Sequence, residues 1–219
     1  SVIEIYNSSF IFITFSYSFN LDGTIDTTRV LHFGTPTKEQ QDIYTSLLQG
    51  CIDLVTTKFK PGTTLQELDP IIRKPLRDLG LSYGHGSTHG TGMYLTVHES
   101  FDYTYENNFI GSQEPGYYKE NEFGMRLENL VQVTEVPVSN ITQSQKLLTF
   151  ESVTLVPYEN KLINNCKLNK STKKWLFSYY VIIRSLVGAE MIKQGRYDLY
   201  KWLIDKTDPT FKCFEISKT

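Results

Sequence analysis

Cysteine is scarce in this sequence, and the few thiols are not arranged for a metal site or a disulfide scaffold. The 219 residues include three cysteines, Cys51, Cys166 and Cys213, which are widely spaced and form no Cys-x-x-Cys pair. This spacing gives little support to a thiolate zinc site or to a small fold stapled by disulfides. We therefore expect a reducing compartment for this protein.

An excess of charge of either sign is also absent. The chain has 22 basic and 24 acidic side chains and a sequence pI of about 6.1. A protein that binds nucleic acid or an anionic membrane electrostatically normally presents a basic surface. The lysines between residues 161 and 175 form the densest basic stretch, but no nucleic-acid motif accompanies them, so they predict a solvated helix flank. We expect neither a nucleic-acid partner nor a membrane partner.

A long apolar run is missing as well, although the N-terminal stretch comes closest to one. Residues 5–21 carry no charge and are rich in Phe, Tyr and Ile, but Asn and Ser interrupt them. A signal peptide or a membrane span needs a continuous apolar core. The alternation of Phe15, Tyr17 and Phe19 instead predicts a strand. The Asp-Gly turn that begins at Asp22 predicts a hairpin with a second strand over residues 25–33.

The rest of the chain mixes predicted helices and strands without a βαβα rhythm, which favours an α+β fold over a doubly wound parallel sheet. Thr37 and Gln40 have the spacing of a helix capping box. Pro70 and Pro75 disturb a second helical pattern without ending it. The predicted elements are helices at about residues 37–59 and 65–79, β-rich runs at 124–136 and 147–156, and two amphipathic helices from about residue 171.

Residues able to ligate a hard divalent cation are concentrated in four short segments. Carboxylates with one or two imidazoles and no thiolate suit manganese, cobalt, iron or zinc in a hydrolytic centre. Such a centre lowers the pKa of a water molecule, while a nearby acid or base handles protons. Each candidate alone also fits a structural role in a turn, a loop or an ion pair. The candidates are Asp26, His85, His89, Glu114 and Glu128.

The order of these segments resembles the catalytic domain of Xaa-Pro aminopeptidase (aminopeptidase P), a pita-bread metallopeptidase of peptidase family M24B. The tail after Leu148 is similar to the C-terminal extension of the cytosolic eukaryotic form. The resemblance therefore covers the chain from about residue 21 to its end and implies the pita-bread α+β fold. The matching stretches are Asp22-Gly-Thr-Ile-Asp26-Thr-Thr-Arg29, His32-Phe-Gly-Thr-Pro-Thr37, His85-Gly-x-x-His89-Gly-x-Gly92, Val97-His98-Glu99, Glu114-Pro-Gly-Tyr-Tyr118 and Phe123-Gly-x-Arg-x-Glu128-Asn129.

The resemblance also implies a reaction and roles for single residues. The reaction is removal of the N-terminal residue from a peptide with proline in second position, by a cytoplasmic homodimer that uses manganese. His85 and His98 match two histidines that hold the substrate and stabilise the tetrahedral intermediate or shuttle protons. Glu114 matches both a ligand and the carrier of the proton. The residues that match four of the five ligands of the family's dinuclear manganese site are Asp26, His89, Glu114 and Glu128.

One ligand of the family pattern is missing. The family's first aspartate ligand lies eleven residues before its second, and that position is Phe15 in this chain. A phenylalanine cannot coordinate a cation, and Glu4 and Asp22 are poorly placed substitutes. We therefore expect two, one or no manganese ions in the site.

Two further departures concern length. The segment between His98 and Glu114 is shorter than in the family, and residues 109–113 lack the pattern of an apolar strand. The family's catalytic domain also begins before residue 1, so we expect a pita-bread fold that is incomplete at its N-terminus. The predicted divisions are a divergent segment at 1–20, a partial catalytic domain at 21–157, and a helical C-terminal extension with a dimer contact at 158–219.

These observations support three hypotheses. The first is a metal-dependent Xaa-Pro aminopeptidase, which rests on the four matched ligands and two matched histidines. The second is a catalytically inactive relative that acts as a binding or dimerisation module, which Phe15 and the missing N-terminal region favour. The third is a chain that does not fold alone, because an incomplete domain leaves apolar surface uncovered.

Overall fold

The computed structural model describes residues 2–6, 10–19, 23–92, 96–99, 104–137 and 146–208, with side chains from residue 24 onward. Strands and helices are interleaved along these ranges, which confirms the predicted α+β class. The strands are β1 (Val2–Tyr6), β2 (Phe10–Phe19), β3 (Gly23–His32), β4 (Ile110–Gln113), β5 (Gly116–Lys119), β6 (Phe123–Arg126), β7 (Asn129–Glu135) and β8 (Leu148–Ser152). The helices are α1 (Lys38–Val55), α2 (Leu65–Arg77), α3 (Lys170–Ile183), α4 (Ala189–Lys193) and α5 (Tyr197–Lys206), and a π-helical turn (Arg184–Gly188) joins α3 to α4.

The N-terminal sheet is an antiparallel meander in the order β1-β2-β3. The hairpin of β2 and β3 is confirmed, whereas β1 was not predicted. The ladder between β2 and β3 pairs Ser16 with Asp26 and Phe15 with Thr27. The turn residue Asp22 lies outside the described residues. Within β3, Asp26, Thr28 and Val30 are buried, so one face of this strand points into the molecule.

Helices α1 and α2 both begin with a complete capping box. The side chains of Thr37 and Gln40 cap α1, as predicted, and those of Thr64 and Glu67 cap α2. Helix α1 ends at Val55, earlier than predicted. The two helices pack so closely that a Cβ added at Gly50 would lie 2.2 Å from the carbonyl oxygen of Ile72. Helix α2 continues through both prolines, because its buried residues Leu68, Ile72 and Leu76 pack against α1 and the core.

A second sheet, in the order β4-β7-β8, lies against these helices. Leu54 and Phe59 pack there with Val131, Val133 and Phe150 in one buried cluster. The expectation that residues 109–113 lack a strand is wrong, since β4 pairs with β7 from Ile110 to Gln113. Sequence periodicity misses β4 because its buried residues are polar or glycine. The predicted run at 124–136 is two strands, β6 and β7, which are interrupted at residues 127–128.

The C-terminal helices cover the other side of α1. Trp175 stacks on Tyr179 with ring centroids 5.1 Å apart, and Leu176 and Tyr180 are fully buried in the main core. Among the described residues, the helical stretch Lys170–Lys193 is long and apolar enough to cross a membrane by length and composition alone. A core helix of a soluble protein satisfies the same two criteria.

Two of the cysteines lie in the described part of the chain and differ in state. Cys51 is a free thiol in the core between α1 and its neighbours, and burial raises its pKa to about 12. Cys166 is disulfide-bonded. The widely spaced cysteines of the sequence do not predict this bond.

Candidate metal centre

Four of the predicted ligands meet at one place, although the chain positions of the outermost two are 26 and 128. Asp26 lies within β3, His89 on the loop after α2, Glu114 directly after β4, and Glu128 between β6 and β7. An isolated β-bridge connects Thr28 of β3 with Glu128, which lies between β6 and β7. The Glu128 amide donates to the Thr28 carbonyl at 3.0 Å. The β1-β2-β3 sheet and the β4-β7-β8 sheet therefore meet at the ligand cluster.

His89 is the centre of the cluster. Its Nε2 atom lies 3.4 Å from Oδ2 of Asp26, 3.2 Å from Oε1 of Glu114 and 3.7 Å from Oε1 of Glu128. Asp26 and Glu128 are each only 2% exposed. Three carboxylates thus converge on one ring nitrogen in a place that water scarcely reaches.

The other ring nitrogen decides what His89 Nε2 can do. Nδ1 lies 2.8 Å from the Gly90 carbonyl oxygen, which can only accept, so Nδ1 carries a hydrogen and donates it. In the neutral ring, Nε2 is then an acceptor that faces acceptor oxygens. Neither His89 Nε2 nor Asp26 Oδ2 has a hydrogen-bond partner, although both are buried. The cluster therefore requires a cation, either a proton on Nε2 or a metal ion between these atoms.

The pKa shifts of His89 and Glu114 agree with this requirement. Burial lowers the pKa of His89, but the contacts with Asp26 and Glu128 outweigh it and raise the pKa to about 10. Burial and the negative charge of Glu128 raise the pKa of Glu114 to about 7. His89 and Glu114 therefore both hold a proton more strongly than they would in water.

The donor set could hold a divalent cation. The ligand atoms of His89, Glu114 and Glu128 lie within 4.8 Å of one another, and so do those of Asp26, His89 and His98. Carboxylate oxygens with one imidazole suit manganese, iron, cobalt or zinc. Two such overlapping groups share His89, so the described residues offer a single compact site with acidic groups on three sides.

Several supporting residues were not predicted as part of the site. The Ser112 hydroxyl accepts from the His89 amide at 3.0 Å and donates to Oε1 of Glu114 at 3.2 Å. The Thr28 hydroxyl donates to Oε2 of Glu128. Arg126 lies 3.9 Å from Oε2 of Glu114. Thr28 and Arg126 stand inside the recognised motifs, whereas Ser112 lies in β4 and has no sequence signal that points to it.

His85 lies beside the ligand cluster in a separate hydrogen-bonded chain. Its Nδ1 faces the Gly86 carbonyl at 2.8 Å, which leaves Nε2 to accept from the Tyr118 hydroxyl at 3.0 Å. Arg126 Nε in turn donates to the Tyr118 oxygen at 2.9 Å. Burial lowers the pKa of His85, and the charge of Arg126 acts in the same direction, against the hydrogen bond to Gly86. A neutral acceptor imidazole results.

His98 lies at the mouth of the site. Its side chain is 74% exposed, its Nε2 lies 4.0 Å from Oδ2 of Asp26, and its ring is perpendicular to that of His89 at 4.4 Å. These contacts place an exposed imidazole directly beside Asp26 and His89. The side chain of Phe15 lies outside the described part of the chain, but the β2–β3 register places Ser16, not Phe15, opposite Asp26.

Comparison with known sequences decides the family. The sequence pattern of metallopeptidase family M24 matches residues 4–135, and that of the C-terminal region of the same peptidases matches residues 146–210. The chain belongs to metallopeptidase family M24.

Curated M24 relatives are longer than this chain. Xaa-Pro aminopeptidase 2 of Sus scrofa is 41% identical over 194 residues, which are 86% of this chain and 28% of the relative. A probable Xaa-Pro aminopeptidase P of Paracoccidioides brasiliensis is 42% identical over 170 residues, which are 73% of this chain and 28% of the relative. The chain therefore spans less than a third of the length of these relatives.

Solved M24 structures share the fold. A cytosolic X-prolyl aminopeptidase with a di-nuclear active site from Caenorhabditis elegans superimposes with a TM-score of 0.86 at 32% identity, over 91% of this chain and 33% of that one. The X-Pro aminopeptidase of Thermotoga maritima gives a TM-score of 0.55 at 28% identity, over 68% and 40% of the two chains. The predicted pita-bread fold is confirmed.

Proposed function

We propose that this chain carries the catalytic site of a metal-dependent Xaa-Pro aminopeptidase, which releases the N-terminal residue from peptides with proline in second position. The observation that carries the proposal is the convergence of Asp26, Glu114 and Glu128 on the unpartnered Nε2 of His89. The relatives that align across the site are named for this activity.

The residues of the chain have distinct parts in this proposal. Asp26, His89, Glu114 and Glu128 hold the cation, which when bound supplies an activated water and polarises the scissile carbonyl. Glu114 takes and returns the proton at its carboxylate, because burial and Glu128 already bring its pKa to about 7. His85, kept neutral by burial and by the charge of Arg126, and the exposed His98 bind and orient the peptide.

We propose manganese as the resident metal, in one well-formed position. The structure of the C. elegans relative has a di-nuclear site. In this chain β2 contains no Asp or Glu, so a second cation would have only shared ligands. Hard carboxylate donors with a single imidazole favour manganese over softer ions.

The domain organisation and assembly are also proposals. Residues 21–157 form the catalytic domain and residues 158–219 the C-terminal extension, with residues 1–20 as a divergent segment. The family matches at residues 4–135 and 146–210 support a division into two units, which they place between residues 135 and 146, and the first match includes most of residues 1–20. A homodimer through the C-terminal helices is consistent with the exposed apolar side chains Phe177, Val181 and Leu186. Light scattering of the purified chain would show two copies per particle.

The cytoplasm is the proposed location. The structurally similar C. elegans enzyme is cytosolic. The disulfide at Cys166 argues in the other direction, because cytosolic thiols are kept reduced. Cell fractionation combined with a count of free thiols would separate the two, since a fully reduced cytosolic protein has three.

A second function is favoured by one observation. The absence of a carboxylate from β2 leaves the cluster one ligand short of a five-ligand site, so an inactive relative that retains the fold as a binding or dimerisation module would have this chemistry. Such a protein would bind a single cation or none without turnover.

One experiment separates the two functions. The purified chain is loaded with Mn²⁺, its metal content is measured by elemental analysis, and release of the first residue is followed on a peptide with proline in second position. The control peptide has alanine in that position. Release from the proline peptide alone supports the aminopeptidase. Bound metal without release supports the inactive module, and failure to bind Mn²⁺ with all four ligands intact contradicts the proposed metal site.

A further inference from the structure

The inner face of α2 carries an ion pair that is directed at the loop bearing His85. Asp69 and Arg73 lie one helical turn apart, and Nε of Arg73 is 2.6 Å from Oδ2 of Asp69. Both are largely shielded from water, with side chains 27% and 14% exposed. An ion pair in this position has restricted partners and keeps a defined geometry.

This pair contacts the loop at three different residues. Arg73 donates to the carbonyl oxygen of Tyr83 at 3.0 Å and to that of His85 at 2.7 Å. Its guanidinium also lies 4.1 Å from the centre of the Tyr83 ring. Asp69 accepts from the Ser87 hydroxyl at 2.6 Å, and the Tyr83 hydroxyl lies 2.7 Å from the same Ser87 oxygen. We call Asp69 and Arg73 the α2 clamp.

The loop depends on these contacts because it has no regular structure of its own. Residues 81–89 form neither helix nor strand, and the carbonyl groups of Tyr83 and His85 accept from the Arg73 side chain rather than from a strand or helix. The clamp satisfies two of these carbonyls with a single rigid guanidinium. Lysine has one ammonium group and cannot reproduce this planar, forked arrangement.

The loop in turn contacts both parts of the site. The Ser87 carbonyl accepts from the Glu114 amide at 2.9 Å, so the residue that Asp69 holds also holds the backbone of a proposed ligand. His85, whose carbonyl Arg73 holds, presents Nε2 to the Tyr118 hydroxyl. A substitution of Asp69 therefore affects Glu114 through Ser87, and a substitution of Arg73 affects the His85 imidazole through the His85 main chain.

We propose that Asp69 and Arg73 are positioning residues that fix His85 and Glu114 relative to each other from outside the site. This inference rests on the proposed function for the roles of His85 and Glu114. The clamp itself touches neither the metal ligands' side chains nor the space between them, and it acts through the main chain of the loop.

The test compares Arg73→Gln and Asp69→Asn with a matched control on the same helix. Lys74 and Asp78 form an ion pair of the same spacing at 2.7 Å, but their side chains are 71% and 57% exposed. Lys74→Gln therefore removes an ion pair of α2 without touching the loop. Arg73→Lys retains the charge and tests whether the forked geometry is needed.

Two readouts do not require turnover. Long-range ¹H–¹⁵N NMR of the ring nitrogens is tractable because the chain has four histidines, and the Mn²⁺ dissociation constant is measured by calorimetry. We expect Arg73→Gln to change the tautomer of His85 and to raise the dissociation constant about 10-fold, in the range for residues behind a ligand. Arg73→Lys should restore little, and Lys74→Gln should leave both readouts unchanged.

The outcomes separate this inference from the proposed function. Unchanged His85 resonances and Mn²⁺ affinity in both clamp variants would overturn the inference, including the case in which only the melting temperature falls. Changed His85 resonances in a chain whose wild type binds no Mn²⁺ would support the clamp and contradict the proposed function. If the wild type is active, a rise in KM larger than the fall in kcat would support positioning of the substrate through His85.

Discussion

The two sheets contribute to the candidate metal centre in unequal ways. The sheet built on β4 and β7 lies against α1 and α2, and the loops and turns around it supply His89, Glu114 and Glu128. Ser112 accepts from the His89 amide and donates to Glu114, and Thr28 of β3 donates to Glu128, so all three residues have hydrogen-bonded support. The sheet of β1, β2 and β3 supplies Asp26 alone among the described residues, and Oδ2 of Asp26 has no hydrogen-bond partner.

This difference separates a preorganised set of ligands from an isolated one. A carboxylate that already accepts a hydrogen bond keeps its orientation before the cation arrives. Asp26 is buried without such support at Oδ2, so its position depends on the cation and on the β3 backbone. The candidate metal site is therefore preorganised at His89, Glu114 and Glu128 and is less well supported at Asp26.

The largest expected effect is the loss of the shared ligand. His89→Ala removes the nitrogen that all three carboxylates face, so it should raise the Mn²⁺ dissociation constant by more than about 100-fold, since even residues behind a ligand cost about 10- to 100-fold. Calorimetric titration measures it, with Glu190→Gln on the exposed face of α4 as the control. Retention of wild-type affinity in His89→Ala would place the cation elsewhere.

The next effect is the gain of a second cation near Asp26. A carboxylate on β2 should add a second cation, and the β2–β3 ladder places position 16 directly opposite Asp26. Directly paired residues have Cβ atoms about 4.5–5.5 Å apart. We therefore expect Ser16→Asp to bind two Mn²⁺ per chain and Phe15→Asp to bind one, by elemental analysis. The reverse result would favour the eleven-residue spacing of the family over the register of this ladder.

A third effect concerns the joint between the two sheets. Buried Arg29 on β3 donates to the Glu128 carbonyl at 2.7 Å, to the Asn129 side chain at 2.7 Å and to the Val156 carbonyl at 2.9 Å. Arg29→Met removes the buried donor that these acceptors share, so the free energy of unfolding should fall by about 3 kcal/mol or more. Urea denaturation measures it. Arg77→Met, at an exposed position on α2, should change it little, and an equal loss in both variants would contradict the role given to Arg29.

The smallest effect concerns the capping box of helix α2. Hydrogen bonds from the Thr64 amide and hydroxyl lower the pKa of Glu67 in the capping box of α2. A depressed pKa stabilises the fold above the unfolded value near 4.5, and this contribution is lost as the pH falls through the folded pKa. Glu67→Gln should therefore lower the melting temperature slightly at pH 7 and make no difference under acid conditions.

Helix α1 offers the matched control for that measurement. Its capping box uses Gln40, which does not titrate. Gln40→Ala should lower the melting temperature by the same amount at both pH values. A pH-independent effect in Glu67→Gln would show that its charge has no part in the cap.

Much of the fold could be predicted from local sequence. The capping box of α1, the β2–β3 hairpin and the apolar spacing of α1 depend on neighbours within a few residues, and the structure confirms them. Strand β4 could not be predicted because its buried residues follow no apolar pattern. Gly111 and Ser112 instead allow the His89 backbone to lie close to the strand. A Cβ at Gly111 would lie 2.4 Å from the His89 carbonyl oxygen.

The candidate site shows the same division. Asp26, His89, Glu114 and Glu128 were predicted because residue type and motif order depend on the chemistry of a cation. Ser112, and the contacts of Asp69 and Arg73 with the His85 loop, depend on which segments the tertiary fold brings together. No periodicity or motif in a single sequence contains that information.

The buried thiol of Cys51 gives the protein an internal reporter. Alkylating reagents attack the thiolate, and Cys51 is both 2% exposed and shifted to a pKa of about 12. Labelling of this side chain must wait until α1 separates from its neighbours, so the labelling rate counts opening events of the core. A variant that labels at the native rate yet binds no metal has lost its ligands, whereas one that labels quickly has lost its core.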